Sequence, residues 1–155
     1  MSRRVSVQEE DFDIGVELAA LRRDRIDVGA VASLIGYVRG HSPGEPVSVS
    51  VLTLEHYPGM TERVIDTMID DAAARFGVLD VRVVHRVGQL SPGEQIVLVA
   101  VAAAHRRAAF QACEFLMDGL KTQAPFWKKE TTPEGDHWVD ARTSDDEAMS
   151  RWSIS

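Results

Sequence analysis

The chain has 155 residues, of which 45% are hydrophobic and 26% charged, a size and composition typical of one soluble globular domain. We predict a single domain over residues 1–155, with a polar tail from about residue 144. The formal net charge is −7. Because non-specific binding to nucleic acid requires a basic surface, we expect no nucleic-acid partner. Any anion must therefore bind at a local cluster of basic residues.

The sequence gives no sign of a secreted or membrane-bound protein. Two arginines lie near the amino terminus, but no apolar run follows them, so this segment does not resemble a secretory signal. The longest strongly apolar run, 96–104, is too short to span a bilayer. Cys113 is the one cysteine, which excludes an intrachain disulfide and fits a reducing compartment. We predict a cytoplasmic protein that does not bind membranes.

Three strands and one short helix are predicted in the first part of the chain. Alternating residues indicate an edge strand at 3–8 and a second strand at 47–55. A run rich in β-branched and small residues indicates a buried strand at 29–38. Asp13 is a candidate N-cap for a helix that extends to about Arg23.

Helices and strands also follow one another in the rest of the chain. Helical spacing runs from Met60 to Phe76, and Gly77 is a suitable C-cap. The other predicted elements are strands at 81–87 and 95–103, a helix from about His105 to Lys121, and a hairpin made of 126–131 and 137–139. Trp152, in the tail, is a candidate to dock onto the domain. This order predicts an α+β fold, with helices packed on one face of a largely antiparallel sheet.

The second long helix begins with three basic residues, His105, Arg106 and Arg107. The amino-terminal end of a helix carries a partial positive charge, so basic residues there are unfavourable for stability. Such a departure is typical of a functional site, and free N–H groups with added arginines can bind an anion. The alternative is that these side chains are simply solvated.

Lysines mark the other end of this helix and the strand that follows. Lys121 lies one turn after Met117, beside apolar neighbours, where a lysine can either extend to solvent or be partly desolvated with a lowered pKa. In a strand at 126–130, Phe126, Lys128 and Glu130 share one face, and Glu130 could orient Lys128. The alternative is a solvated edge strand in which lysines prevent aggregation.

Several common kinds of site are not indicated. The five histidines lack metal-ligand spacing, so we predict no metal, and Cys113 lies among apolar residues of a helix as a packed thiol. The sequence contains no GxSxG, P-loop or GxGxxG motif. Arg39 follows a buried strand, at a position where sites are often built, but this position alone does not define a site.

Three long blocks nevertheless resemble one family. They are LTLEHYPGMTE (52–62), VVHRVGQLSPGEQIVLVAVAAAHRRAAF (83–110) and FLMDGLKTQAPFWKKETTPEGDHWV (115–139). Together they resemble the catalytic, large subunit of molybdopterin synthase, and the resemblance extends from about Gly29 to Trp152. It implies an α/β hammerhead fold with an added antiparallel β subdomain.

The resemblance also implies an activity and partners. The enzyme is a sulfurtransferase that converts cyclic pyranopterin monophosphate to molybdopterin by adding the two sulfurs of the dithiolene. The sulfur arrives as a thiocarboxylate on the carboxyl-terminal Gly-Gly of a small ubiquitin-like subunit. Two large subunits form a homodimer, with a small subunit at each end. No cofactor is implied.

The family's functional residues match positions in this sequence. Lys121 and Lys128 are the implied catalytic residues. The implied substrate-binding residues are Tyr37, Val38, Arg39, His105, Arg106, Lys129, Glu130 and Arg142.

The predicted helix separates two of these groups. Arg106 and Lys121 are fifteen positions apart, which is roughly 22 Å along a helix. One small pterin cannot easily contact both in a single chain. We therefore expect a pocket shared between protomers, with His105 and Arg106 of one facing Lys121 and Lys128 of the other. Two alternatives remain open: a non-catalytic module that docks a ubiquitin-like tail, and a small anion-binding regulator.

Overall fold

The computed structural model describes residues 4–41, 44, 48–139, 147, 149–150 and 152. Eight strands and three helices are formed within these ranges. In chain order they are β1 Val5–Gln8, α1 Ile14–Arg22, β2 Ala30–Tyr37, β3 Val51–His56, α2 Met60–Phe76, β4 Asp80–Arg86, β5 Gly88–Leu90, β6 Gln95–Ala103, α3 Arg106–Thr122, β7 Phe126–Thr132 and β8 Gly135–Val139. The predicted α+β class is confirmed.

The strands form two four-stranded sheets. The main sheet has the order β1-β4-β6-β2, and its one parallel pair is β1 with β4. The second sheet has the order β5-β3-β7-β8 and is antiparallel throughout. This second sheet matches the antiparallel β subdomain that the family resemblance implies.

The prediction of one sheet with all helices on one face was wrong in two respects. Gly88 adopts a positive φ of 85°, and here the chain leaves the main sheet to form β5 against β3. The helices also lie on both faces of the main sheet. Successive residues of β6 point to opposite faces of the sheet. Val97, Val99 and Val101 pack with α2 and α3 on one face. Leu98 packs with α1 on the other face.

The central strand β6 explains why the main core lies between the sheet and the two long helices. All of its residues from Val97 to Ala103 are buried, as expected for a continuous apolar strand paired on both sides. The apolar stripe of α3 that contains Ala109, Ala112 and Leu116 faces this strand. The tail also contributes, since the Trp152 ring packs edge-on against Phe115, as its predicted docking required.

Candidate functional site

The strand β7 divides the lysine-rich segment between two faces of the second sheet. In the register with β3, Lys128 lies opposite Leu54 and Glu130 opposite Leu52. Both leucines are buried, so Lys128 and Glu130 lie on the inner face of this sheet. Lys129 pairs with Thr53 and lies on the outer face. The alternation predicted for this segment is therefore confirmed.

A buried histidine lies where the two sheets meet. The His85 ring, on β4, stacks on the Phe126 ring with centroids 3.9 Å apart and an interplanar angle of 18°. Its Nδ1 is 2.8 Å from the backbone oxygen of Arg86. Because a carbonyl oxygen can only accept, Nδ1 is assigned the proton and Nε2 is left with a lone pair.

The pKa of His85 depends on its burial and on nearby charges, which include the two predicted catalytic lysines. Burial lowers the pKa of His85 to about 4, against the opposing effect of the bond to the Arg86 carbonyl. The positive charges of Lys128, Lys121 and His56 make smaller downward contributions to this value. Both lysines therefore lie within electrostatic range of one neutral imidazole. We call His56, His85, Lys121 and Lys128 the lysine–histidine cluster.

The lysines of the cluster come from different elements. Lys121 is exposed in the last turn of α3, and Lys128 is half-buried on β7. At the edge of the cluster, His56 Nε2 lies 3.7 Å from Glu62 Oε1. The two residues for which the resemblance implied a catalytic role thus both lie within electrostatic range of the buried His85 ring.

Glu130 lies on the same face but has another partner. Its Oε2 is 3.4 Å from Nε2 of His137, the residue opposite it on β8. Its predicted role in orienting Lys128 stays a prediction. On the outer face, the Lys129 ammonium lies 5.8 Å from the centre of the Trp138 ring. Lys129 is therefore separated from Lys128 by the thickness of the sheet.

The segment at the end of β2 lies at the same end of the main sheet as Lys121. Tyr37 pairs with Gln95, the first residue of β6. The helix α3 begins three residues after β6 ends and packs back over that strand, with Cys113 Sγ, midway along the helix, 3.8 Å from the Val99 oxygen. Tyr37 and Arg39 are exposed at this end.

Val38 differs from its two neighbours. Its side chain is buried in the small core of the second sheet. Its N–H donates to the Glu94 oxygen at 2.9 Å, and its own oxygen accepts from the Gly93 N–H at 2.8 Å. Its predicted binding role stays a prediction. These two hydrogen bonds and the buried side chain fix the backbone next to Arg39.

His105 and Arg106 lie far from the cluster within one chain. They occupy the amino-terminal end of α3, and both are exposed. Lys121 lies at the other end of the same continuous helix, which spans 17 residues, about 25 Å at the helical rise. The structure therefore keeps the two groups apart, as the sequence predicted. Arg142, the remaining predicted binding residue, lies outside the described residues.

Sequence reasoning missed the histidines of the cluster. His85 interrupts the apolar strand VRVVHRV, and this unusual position was a usable signal. A second signal was the distribution of lysines, because the chain has three and all lie between positions 121 and 129. Within the described ranges, no group of three or more His, Cys, Asp or Glu side chains is placed to hold a metal ion. None of the helices in these ranges is long and apolar enough to cross a membrane.

Fold and site together define an α+β protein with a cationic site between two sheets, and comparisons with known proteins identify its family. The family model described as MoaE protein matches residues 7–123. The molybdopterin synthase catalytic subunit of Ralstonia nicotianae is 56% identical over 150 residues, which cover 97% of this chain and 84% of that protein.

Solved structures agree with this match. The molybdopterin biosynthesis MoaE protein from Burkholderia ambifaria has a TM-score of 0.83 at 49% identity, covering 99% of this chain and 100% of that one. Molybdopterin synthase from Staphylococcus aureus has a TM-score of 0.81 at 26% identity, covering 90% and 99%. This chain therefore belongs to the MoaE family, the catalytic subunits of molybdopterin synthase.

Proposed function

We propose that this protein transfers sulfur from the thiocarboxylated carboxyl terminus of a small ubiquitin-like subunit to cyclic pyranopterin monophosphate, forming the dithiolene of molybdopterin. The observation that carries the proposal is that Lys121 and Lys128 both lie within electrostatic range of the buried His85, in a chain of this family. The name of the Ralstonia relative, a catalytic subunit, supports an assembly with a second kind of subunit. We place this activity in the cytoplasm.

Two ammonium groups suit the chemistry of a thiocarboxylate. The sulfur of the thiocarboxylate first bonds to a carbon of the pterin, from which an oxygen substituent leaves, and this gives a thioester. Water then attacks the thioester carbonyl carbon, and nearby fixed cations stabilise the negative charge that develops on its oxygen. The sulfur stays on the pterin, and the small subunit leaves with an ordinary carboxylate. The same groups can deliver or accept protons as the carbon–sulfur bond breaks. Because the pKa of His85 is about 4, its ring is neutral near pH 7, and the positive charge beside it comes from the two lysines. Lys121 and Lys128 are therefore our candidates for the catalytic residues.

The sulfur itself must come from outside the chain. The one cysteine, Cys113, is buried in the main core. Burial, followed by the charge of Glu114, raises the pKa of this thiol to about 11. A protonated and inaccessible thiol is a poor sulfur carrier. This supports a separate partner that brings the sulfur as a thiocarboxylate.

The phosphate of the substrate needs basic residues to bind it. His105 and Arg106 are the implied residues, but within one chain they lie at the opposite end of α3 from Lys121. We propose a homodimer in which His105 and Arg106 of one protomer complete the site around Lys121, Lys128 and Arg39 of the other. Exposed apolar side chains support such an interface. On the edge strand β2, Val31 is 37% exposed and Leu34 is 40% exposed. On α3, Phe110 lies one turn after Arg106 and is 67% exposed.

The activity is tested by reconstitution. The protein is mixed with the small subunit in thiocarboxylate form and with cyclic pyranopterin monophosphate, and molybdopterin is measured. The same subunit with an ordinary carboxyl terminus is the control. We expect product in the first mixture and none in the second. A stable complex that forms no product with the thiocarboxylate would instead support the non-catalytic docking module.

A further inference from the structure

The connection between Lys121 and Lys128 is held from outside by two buried side chains. Thr61, at the start of α2, is 0% exposed. Its hydroxyl accepts a hydrogen bond from the Tyr57 N–H at 3.0 Å and donates one to the Pro125 oxygen at 3.2 Å. Pro125 lies between the end of α3 and the start of β7. Thr61 therefore fixes the middle of the segment that joins the two lysines.

The second restraint acts on the next residue. Phe126 opens β7, two positions before Lys128, and its ring is stacked on His85. His85 belongs to the main sheet, in which it pairs with Val97 of the buried strand β6. The stack thus ties the start of β7 to the most buried part of the molecule. On the other side of the connection, the Gln123 N–H donates to the Gly119 oxygen at 2.8 Å and closes the end of α3.

We propose that Thr61 and His85 are positioning residues, which set the distance and relative direction of Lys121 and Lys128. The proposal rests on the function proposed above for its kinetic consequence, but its structural part stands by itself. Neither residue is among those that the sequence implicated. A displacement of about 1 Å in a reacting group can lower a rate by roughly a hundredfold. Two lysines on different elements therefore need a rigid connection between them.

Two substitutions of Thr61 distinguish the effect of its hydrogen bonds from the effect of its packing. Valine has nearly the shape of threonine but has no hydroxyl, so Thr61→Val removes both hydrogen bonds while filling the same space. Thr61→Ser keeps the hydroxyl and loses a methyl group. For His85 the matched pair is His85→Leu, which removes the planar stack, and His85→Phe, which keeps an aromatic ring against Phe126.

The direct test is NMR of the protein labelled with carbon-13 in lysine. Three lysines give three assignable side-chain signals, each identified by a Lys→Arg substitution. Lys129, on the outer face beside Trp138, serves as the internal reference. We expect Thr61→Val and His85→Leu to shift the signals of Lys121 and Lys128 but not that of Lys129. Thr61→Ser and His85→Phe should restore most of the original spectrum.

Kinetics provide the second readout. In the reconstituted synthase, Thr61→Val should lower kcat by at least about tenfold. The KM for the thiocarboxylated subunit should change less than about twofold, because Thr61 is fully buried and offers no surface to a partner. Thr61→Ser should recover kcat. A folded Thr61→Val protein with unchanged lysine signals and unchanged kcat would overturn the proposal.

The remaining outcomes are also decisive. If Thr61→Val does not fold, the comparison of His85→Leu with His85→Phe provides the same two readouts. If the wild-type protein forms no product, the proposed function fails, whereas the NMR comparison still decides whether these residues position the lysines. Equal shifts of all three lysine signals would indicate a general loss of structure and would contradict a specific positioning role.

Discussion

The ring of His85 lies parallel to that of Phe126 at 3.9 Å, and this contact joins the main sheet to the second sheet. Lys121 lies on helix α3, which packs on the main sheet, whereas Lys128 lies on β7 of the second sheet. The candidate site therefore forms at the seam between two parts of one domain. The histidine at this seam is neutral, and its environment leads to the first prediction.

Protonation of His85 should make the stability of the protein depend on pH. Its pKa is about 4 in the folded protein and 6.5 in the unfolded chain. Between these values the unfolded chain binds a proton that the folded protein does not, so stability falls as the pH is lowered from 6.5 towards 4. The contribution has an upper limit of about 1.4 kcal/mol for each pH unit.

The measurement is urea unfolding at several pH values between about 4.5 and about 7.5, roughly the range in which His85 is protonated in the unfolded chain but not in the folded protein. His85→Phe is the matched variant, because it keeps the ring but cannot be protonated. The carboxylates contribute equally to both proteins, so we expect the difference in stability to change with pH. Parallel pH profiles would show that His85 titrates normally.

Cys113 should be unreactive in the folded protein. It is buried, and the pKa of its thiol is raised to about 11 by burial and by Glu114. At pH 8 we expect a thiol reagent to label it at least about a hundredfold more slowly than in the denatured chain. Cys113→Ala should retain turnover. Loss of turnover in this variant, with its fold intact, would contradict the requirement for an external sulfur carrier.

Trp152 should stabilise the domain measurably. Its ring packs edge-on against Phe76 and Phe115, and its Nε1–H donates to Asp118 Oδ2 at 2.7 Å. We expect Trp152→Ala to lower the free energy of unfolding by about 2 kcal/mol, less than for a fully buried aromatic residue. Trp152→Phe keeps an aromatic ring and should lose about 1 kcal/mol. Equal stability of all three proteins in urea unfolding would mean that the tail does not dock.

The shared site predicts a specific pattern of complementation. Arg106→Ala and Lys121→Ala proteins should each be inactive as homodimers. When the two are mixed at random, half of the dimers contain one chain of each kind, and one of their two sites is intact. We expect recovery of about one quarter of the wild-type turnover.

A matched mixture provides the control for this experiment. Lys121→Ala mixed with Lys128→Ala should remain inactive, because both lysines of each site come from one chain. Recovery in this control mixture, or no recovery with Arg106→Ala, would contradict the arrangement in which His105 and Arg106 cross to the partner protomer.

Much of the fold was predictable because its signals are local. The continuous apolar run of β6 and the helical spacing of α3 lie within single elements, and both appear where they were predicted. The three-residue strand β5 was missed, because a strand so short has no periodicity of its own. The placement of α1 on the opposite face of the main sheet was also missed, since the apolar face of a helix does not indicate which side of a sheet it covers.

The candidate site was predictable only where residue type was informative. Lys121 and Lys128 stood out as basic residues beside apolar and aromatic ones. His85 and Thr61 did not, because their contacts with Phe126 and Pro125 join residues that are distant in sequence. The pairing of Glu130 with His137 likewise depends on the register of the hairpin.

The most direct test of the central claim is the turnover of Lys121→Ala in the reconstituted synthase, measured together with binding of the small subunit. Gln123→Ala, exposed two positions further on, is the control. We predict that Lys121→Ala loses at least about a hundredfold in turnover while it still binds the subunit, and that Gln123→Ala retains its turnover. Product formed by Lys121→Ala at the wild-type rate would contradict the assignment of this cluster as the catalytic site.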